Sequence, residues 1–118
     1  MTINQINKIY SRPWGSYKTL AFGANYQIKI ITIESGGKLS LQKHYKRSEH
    51  WVITKGTVQI TLDSCVKNYQ INEHIFIPIE SIHRIENLTL EPAELIEVQM
   101  GSYLGEDDIV RFDDAYAR

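Results

Sequence analysis

GGKLSLQKHYKRSEHWVITKG, residues 36–56, decides how the rest of the chain is read. Leu39 and Leu41 before its centre, and Trp51 and Ile53 after it, alternate with polar residues, the period of a half-buried strand and not of a helix. Residues two apart on a strand share a face, so Gln42 and His44 should offer an amide oxygen and an imidazole nitrogen side by side. Glu49 follows across the basic turn Tyr45-Lys46-Arg47-Ser48 and is expected to return on the neighbouring strand, facing the same point. A cation held by such donors needs one more arm, and His83 in the later segment FIPIESIHRIEN is the candidate. Each residue also has an ordinary explanation, either a hydrogen-bonded structural histidine or a surface ion pair worth little. Only the spacing of the four favours a shared ion.

Outward from this stretch the strand signals continue. In YQIKIITI, residues 26–33, Tyr26, Ile28, Ile30 and Ile33 read as inward positions, with Gln27, Lys29 and Thr32 towards the other face, although the run is apolar enough to be covered on both sides. Further short strands are expected over residues 38–42, 51–54, 58–62, 68–71, 75–77, 83–87 and 94–99, with a hairpin at Thr54-Lys55-Gly56-Thr57 where Gly56 supplies a positive φ. Strands of this length, broken every eight to twelve residues, argue for an all-β sandwich or barrel. Arg12-Pro13-Trp14-Gly15 reads as a fixed corner, because Pro13 lacks a backbone donor. The expected division is an N-terminal arm over residues 1–11, with Ile at 3, 6 and 9, and one domain over 12–118. The closing stretch GSYLGEDDIVRFDDAYAR is expected to be loop with one helical turn starting near Asp107 and Asp108.

The spacing Gly36, five residues, Gln42, one, His44, four, Glu49, six, Gly56 resembles the first cupin motif, with Gln in place of its first His. Asn72, five residues, Pro78-Ile79-Glu80, two, His83, three, Asn87 resembles the second, with Asn72 and Glu80 where glycines are usual. Within the cupins, RPWGSY, LSLQ, EHWVI and LIEVQMGSYLGEDDIVRF are similar to the type II mannose-6-phosphate isomerase domain, over nearly all of residues 10–118. The resemblance implies a small jelly-roll barrel. It also implies a Gln-His-Glu-His metal set at Gln42, His44, Glu49 and His83, and a catalytic part for Arg111 in IVRF. Such a domain usually follows a mannose-1-phosphate guanylyltransferase domain in one bifunctional protein. Family members commonly have His where this chain has Lys46.

At 118 residues there is room for one core and none for a second catalytic domain, so a guanylyltransferase would be a separate partner. Thirteen basic and fourteen acidic residues leave no global field to favour nucleic acid or a membrane surface. No apolar run approaches the roughly 20 residues of a spanning helix, and the expected location is the cytoplasm. Cys65 is the one cysteine, which excludes an intrachain disulfide, and it reads as a reduced thiol in a turn. A small barrel with an arm is expected to pair through its sheet edges into a homodimer.

The proposed ligands carry a single negative charge, so a bound divalent metal would remain a Lewis acid. Mixed oxygen and nitrogen donors suit Zn²⁺ best, with Mn²⁺, Fe²⁺, Co²⁺ and Ni²⁺ as alternatives. Interconversion of mannose 6-phosphate and fructose 6-phosphate needs an electrophile, a proton carrier and a grip on phosphate. Arg12, Lys29 and Arg111 are the candidate phosphate cations. Glu97, two residues before Gln99, is the candidate proton carrier, with a raised pKa if it faces the interior. His50 should face away from the metal, and Glu80 should sit in a turn towards water. The competing readings are a non-catalytic cupin that binds a sugar phosphate or nucleotide sugar beside a separate guanylyltransferase, and a metal dioxygenase, which Gln42 suits less well.

Overall fold

The computed structural model describes residues 4–116. Eleven strands form among them: β1 Tyr10–Arg12, β2 Gly15–Phe22, β3 Tyr26–Ile33, β4 Leu41–Lys43, β5 Arg47–Lys55, β6 Thr57–Leu62, β7 Cys65–Gln70, β8 His74–Ile77, β9 His83–Glu86, β10 Ala93–Gly101 and β11 Val110–Asp113. No described residue is helical, and no helix is long and apolar enough to cross a membrane. Six strands make one antiparallel sheet in the order β1-β2-β3-β10-β5-β8, and five make the other in the order β11-β4-β9-β6-β7. The all-β barrel expected from the sequence is therefore present.

Apolar side chains from both sheets fill one end of the space between them. Ile31, Ile33, Trp51, Ile53, Ile77 and Leu95 come from the larger sheet, and Val58, Ile60 and Ile85 from the smaller. β-Branched residues dominate because they pack well on a pleated surface. The turn at Pro13-Trp14 buries Trp14, whose carbonyl accepts the Glu34 amide at 3.0 Å. Gly56 joins β5 to β6 with φ of 76°, and a Cβ there would stand 2.9 Å from the Pro92 carbonyl oxygen. Only glycine meets both demands at this turn.

Three details differ from the expectations. The phase of β3 is reversed over residues 26–30: Gln27 and Lys29 are buried inside while Tyr26, Ile28 and Ile30 face out, whereas Ile33 is buried and Thr32 half-buried as expected. Residues 103–109 hold no helical turn; a tight turn at Glu106-Asp107 leads into β11, which pairs with β4. Cys65 opens β7 and is exposed rather than lying in a turn. In the arm, Ile3 lies outside the described residues, while the Asn7 amide donates to the Thr19 carbonyl at 2.8 Å.

Candidate metal and substrate site

The inward rows of the larger sheet change character along the strands. Cross-strand register aligns Ile31, Leu95 and Ile53, then Lys29, Glu97 and Trp51, then Gln27, Gln99 and Glu49. Two apolar-to-polar steps thus turn a hydrophobic core into a polar chamber at the other end of the barrel. Buried polar groups cost free energy unless they are hydrogen-bonded, and here they form a chain. Thr19 Oγ1 donates to Gln27 Oε1 at 2.8 Å, Gln27 Nε2 to Gln99 Oε1 at 3.0 Å, and Gln99 Nε2 to Glu97 Oε2 at 2.9 Å. Trp51 Nε1 then donates to both Glu97 Oε1 and Glu49 Oε1, each at 3.0 Å.

The opposite sheet supplies the histidines. β4 and β9 are neighbours, with Gln42 directly across from His83, and His44 follows the end of β4. Glu49 does not return on the neighbouring strand, as the spacing suggested; β5 lies in the other sheet, and Glu49 faces the histidines across the barrel. One donor atom each from His44, Glu49 and His83 lie within 4.8 Å of one another, and all three residues are buried. Gln42 stands beside them on the sheet, where its Oε1 accepts a bond from Ser40 Oγ at 2.7 Å.

Hydrogen bonds fix the tautomers. His44 Nδ1 faces the Asp108 carbonyl at 2.6 Å and His83 Nδ1 faces the Ser81 carbonyl at 2.9 Å, so each must carry its proton there and leave Nε2 as a lone pair. His83 Nε2 is buried without a hydrogen-bond partner. Two unprotonated imidazole nitrogens, a carboxylate and an amide side chain fit a divalent cation of the zinc type. Burial, assisted by the Arg47 charge, lowers the His44 pKa to about 4, and burial lowers that of His83. Both rings are neutral near pH 7, the state a metal ligand requires. Burial pushes the Glu49 pKa up, but the Arg47 charge and the hydrogen bonds the carboxylate receives together outweigh it and hold it below the usual carboxylate range.

Arg47, read from the sequence as part of a turn, is the residue that reading missed. It begins β5, is buried, and shares its face with Glu49 and Trp51. Its Nε donates to Glu49 Oε2 at 2.8 Å and its Nη2 to His44 Nε2 at 3.1 Å. The signal was available: alternation from Trp51 back through Glu49 reaches Arg47. Asp108 was missed as well. Its carboxylate accepts the Tyr45 and Lys46 amides at 3.0 and 2.9 Å and so fixes the bend that carries His44.

A cavity of about 170 Å³ opens beside this cluster, and Arg12, Lys29, Gln42, Arg47, Glu97 and Arg111 line it. The candidate cations are thereby brought together. Lys29 is buried over the Tyr17 ring, 4.3 Å from its centroid, and pairs with Glu106. The Arg12 guanidinium also lies over that ring, 5.1 Å from its centroid, and exposed Arg111 on β11 stands across from Gln42. Glu97 is raised to about 8, by burial first and by the Glu49 charge second. His50 faces away and lies against Phe76, with ring centroids 4.7 Å apart. His74 and Lys46 are exposed.

This fold, with a His-Glu-His cluster in the chamber between its two sheets, defines a cupin barrel with a candidate metal centre. The crystal structure of an RmlC-like cupin from Shewanella frigidimarina is similar in fold, with a TM-score of 0.73 and 17% identity over 85% of this chain and 86% of that one. The sequence pattern described as mannose-6-phosphate isomerase C-terminal matches residues 2–114, and the chain belongs to that family. It is 50% identical over 107 residues to the alginate biosynthesis protein AlgA of Pseudomonas putida, which covers 91% of this chain and 22% of that protein. It is 45% identical over 115 residues to the mannose-1-phosphate guanylyltransferase of Escherichia coli K12, covering 98% of this chain and 24% of that protein. The chain therefore spans about a quarter of the length of these relatives.

Proposed function

We propose that this domain is a metal-dependent isomerase interconverting mannose 6-phosphate and fructose 6-phosphate, in the supply of activated mannose for polysaccharide synthesis. One observation carries the reading: donor atoms of His44, Glu49 and His83 converge behind a cavity lined by both a proton-holding carboxyl, Glu97, and three candidate phosphate cations. Gln42, His44, Glu49 and His83 would hold the cation, with Zn²⁺ best suited to the donor set and Mn²⁺, Fe²⁺, Co²⁺ and Ni²⁺ as alternatives. Such an ion supplies the electrophile that polarises the sugar's oxygens.

The chain's own groups do the rest. Lys29, Arg12 and Arg111 hold the phosphate, which fixes C1 and C2 of the open-chain sugar deeper in the cavity. The ionised form of Glu97 removes the C2 proton while O1 gains one, giving an enediol, and the carboxyl so formed returns the proton to C1 while O2 loses its hydroxyl proton. A pKa near 8 leaves a carboxyl able to take up and release a proton close to neutral pH. Trp51 and Gln99 hold both Glu97 oxygens in place through the transfer.

A coupled assay for fructose 6-phosphate, with and without chelator, tests the reading. Turnover that chelator removes and divalent metal restores is the expected result; no turnover in metal-loaded protein of full occupancy would discard it. The second reading, a non-catalytic module that binds sugar phosphate or nucleotide sugar beside a separate guanylyltransferase, draws on the relatives' greater length and one relative's name. Binding of mannose 6-phosphate without turnover would favour it. We infer further that the domain forms a homodimer in the cytoplasm, which sedimentation at twice the 13.7 kDa chain mass would support.

A further inference from the structure

Arg47 holds two of the atoms a metal ion would need. The lone pair of His44 Nε2 and one oxygen of Glu49 are both engaged by the same guanidinium, at 3.1 and 2.8 Å, and those two acceptor atoms lie 3.5 Å apart. A lone pair cannot serve a hydrogen bond and a coordinate bond at once. Arg47 also stands between the cluster and the outside: it lines the cavity, whereas His44, Glu49 and His83 do not. Its remaining nitrogen, Nη1, is buried without a hydrogen-bond partner, so the guanidinium is incompletely satisfied where it rests.

We propose that Arg47 and the divalent cation compete for His44 Nε2 and Glu49, and that the displaced guanidinium turns into the cavity as a further cation for the substrate's anionic group. This rests on the metal reading given above. Charge makes the two events interdependent. With Arg47 seated, Glu49 and Arg47 cancel. After a divalent ion replaces it, the cluster carries a net positive charge, with Arg47 added to Lys29, Arg12 and Arg111 around the cavity. An anion entering there stabilises the displaced guanidinium, so metal and anion favour one another through a single side chain, and by linkage each raises the other's affinity by the same factor.

Calorimetric titration of Co²⁺ into metal-free protein, with and without sodium sulfate at fixed ionic strength, tests this in the wild type, Arg47→Met and His83→Ala. Sulfate is expected to tighten Co²⁺ binding to the wild type about fivefold or more. Arg47→Met should bind Co²⁺ about tenfold more tightly without sulfate and gain nothing from it. Equal affinity in wild type and Arg47→Met, or a sulfate effect that survives in Arg47→Met, overturns the competition while leaving the metal site standing, provided His83→Ala abolishes binding. Absence of Co²⁺ binding in all three removes the metal reading and this inference with it. A measurement on the wild type alone guards against a misfolded variant. The Arg47 Nε–H resonance should be protected from solvent exchange without metal and lose that protection at Co²⁺ or Zn²⁺ saturation; unchanged protection at saturation overturns the proposal.

Discussion

Glu97 holds a proton in the folded protein that an exposed glutamate gives up at ordinary pH. Its pKa is raised from 4.5 to about 8, first by burial and then by Glu49 across the Trp51 indole N–H. For a carboxyl shifted upwards, the stability held by that proton is complete below the unfolded pKa and is lost as pH rises through the folded one. The Glu97 contribution to stability should therefore fall between pH 4.5 and 8, with a slope of up to about 1.4 kcal/mol per pH unit. His44, lowered to about 4, works in the opposite sense, its contribution being present above 6.5 and lost on acidification. Glu97→Gln removes only the first effect. Urea denaturation in chelator should show the variant gaining on the wild type steadily from pH 5 to pH 8, and parallel profiles would show that Glu97 is ionised in the fold. The same variant should lose turnover with its metal retained. Arg111→Ala, at the exposed rim, should instead raise KM for the sugar phosphate about tenfold, since one charge-assisted hydrogen bond is worth about 1.5 kcal/mol or more.

Two other residues answer to the backbone and not to chemistry. Asn72 and Glu80 stand where cupin motifs commonly carry glycine, and both take positive φ, 77° and 66°. Asn tolerates that region, whereas Glu pays for its Cβ, roughly 1–2 kcal/mol. Glu80 is exposed, and its amide donates to the His44 carbonyl at 2.8 Å, a bond glycine keeps. Glu80→Gly should therefore stabilise the fold, by about 1 kcal/mol after the extra entropy of a glycine in the unfolded chain. Thermal or urea unfolding checks this directly.

At the level of the strand, the motif spacing was legible and the phase of β3 was not. Alternation identifies faces only when one face is apolar. On β3 and β10 the chamber face carries Gln27, Lys29, Glu97 and Gln99, while Ile28, Ile30, Ile96 and Val98 face outwards, half-buried. Sequence hydrophobicity alone assigns such a strand backwards, because buried polar residues are recognisable only through partners that lie far away in the chain. Gln27 and Gln99 are an example, hydrogen-bonded across 72 positions. The His44, Glu49 and His83 cluster was legible for the opposite reason: two of its members lie five positions apart in one motif, and the third follows a proline turn. The junction of β5 and β10 offers its own test. Gly101 pairs with Arg47, and a Cβ on it would meet the Lys46 carbonyl oxygen and stand 2.9 Å from the Arg47 Cα. Gly101→Ala should destabilise the protein by about 1–3 kcal/mol and, by pushing the start of β5 away, weaken metal binding. Calorimetry and unfolding on the one variant measure both.

Across the whole barrel, the division of labour follows the two sheets. One contributes the carboxylates and the buried lysine, the other the amide and both histidines, so the candidate centre exists only where the sheets face each other. The outer sheet order could not have been read from local pattern. β10 inserts between β3 and β5, pairing with residues that precede it by 39 to 74 positions. That order has a kinetic consequence. Closing long loops before any contact rewards them is slow, and folds dominated by such pairings form in milliseconds to seconds. Until residues 93–101 have left the ribosome, nothing bridges the β2-β3 pair to the β5-β8 pair, and a chain ending at residue 92 should show no cooperative melting. Until then β3 can pair only with β2 and β5 only with β8, each with one edge open, and a chaperone that shields open strand edges would be expected to raise the yield.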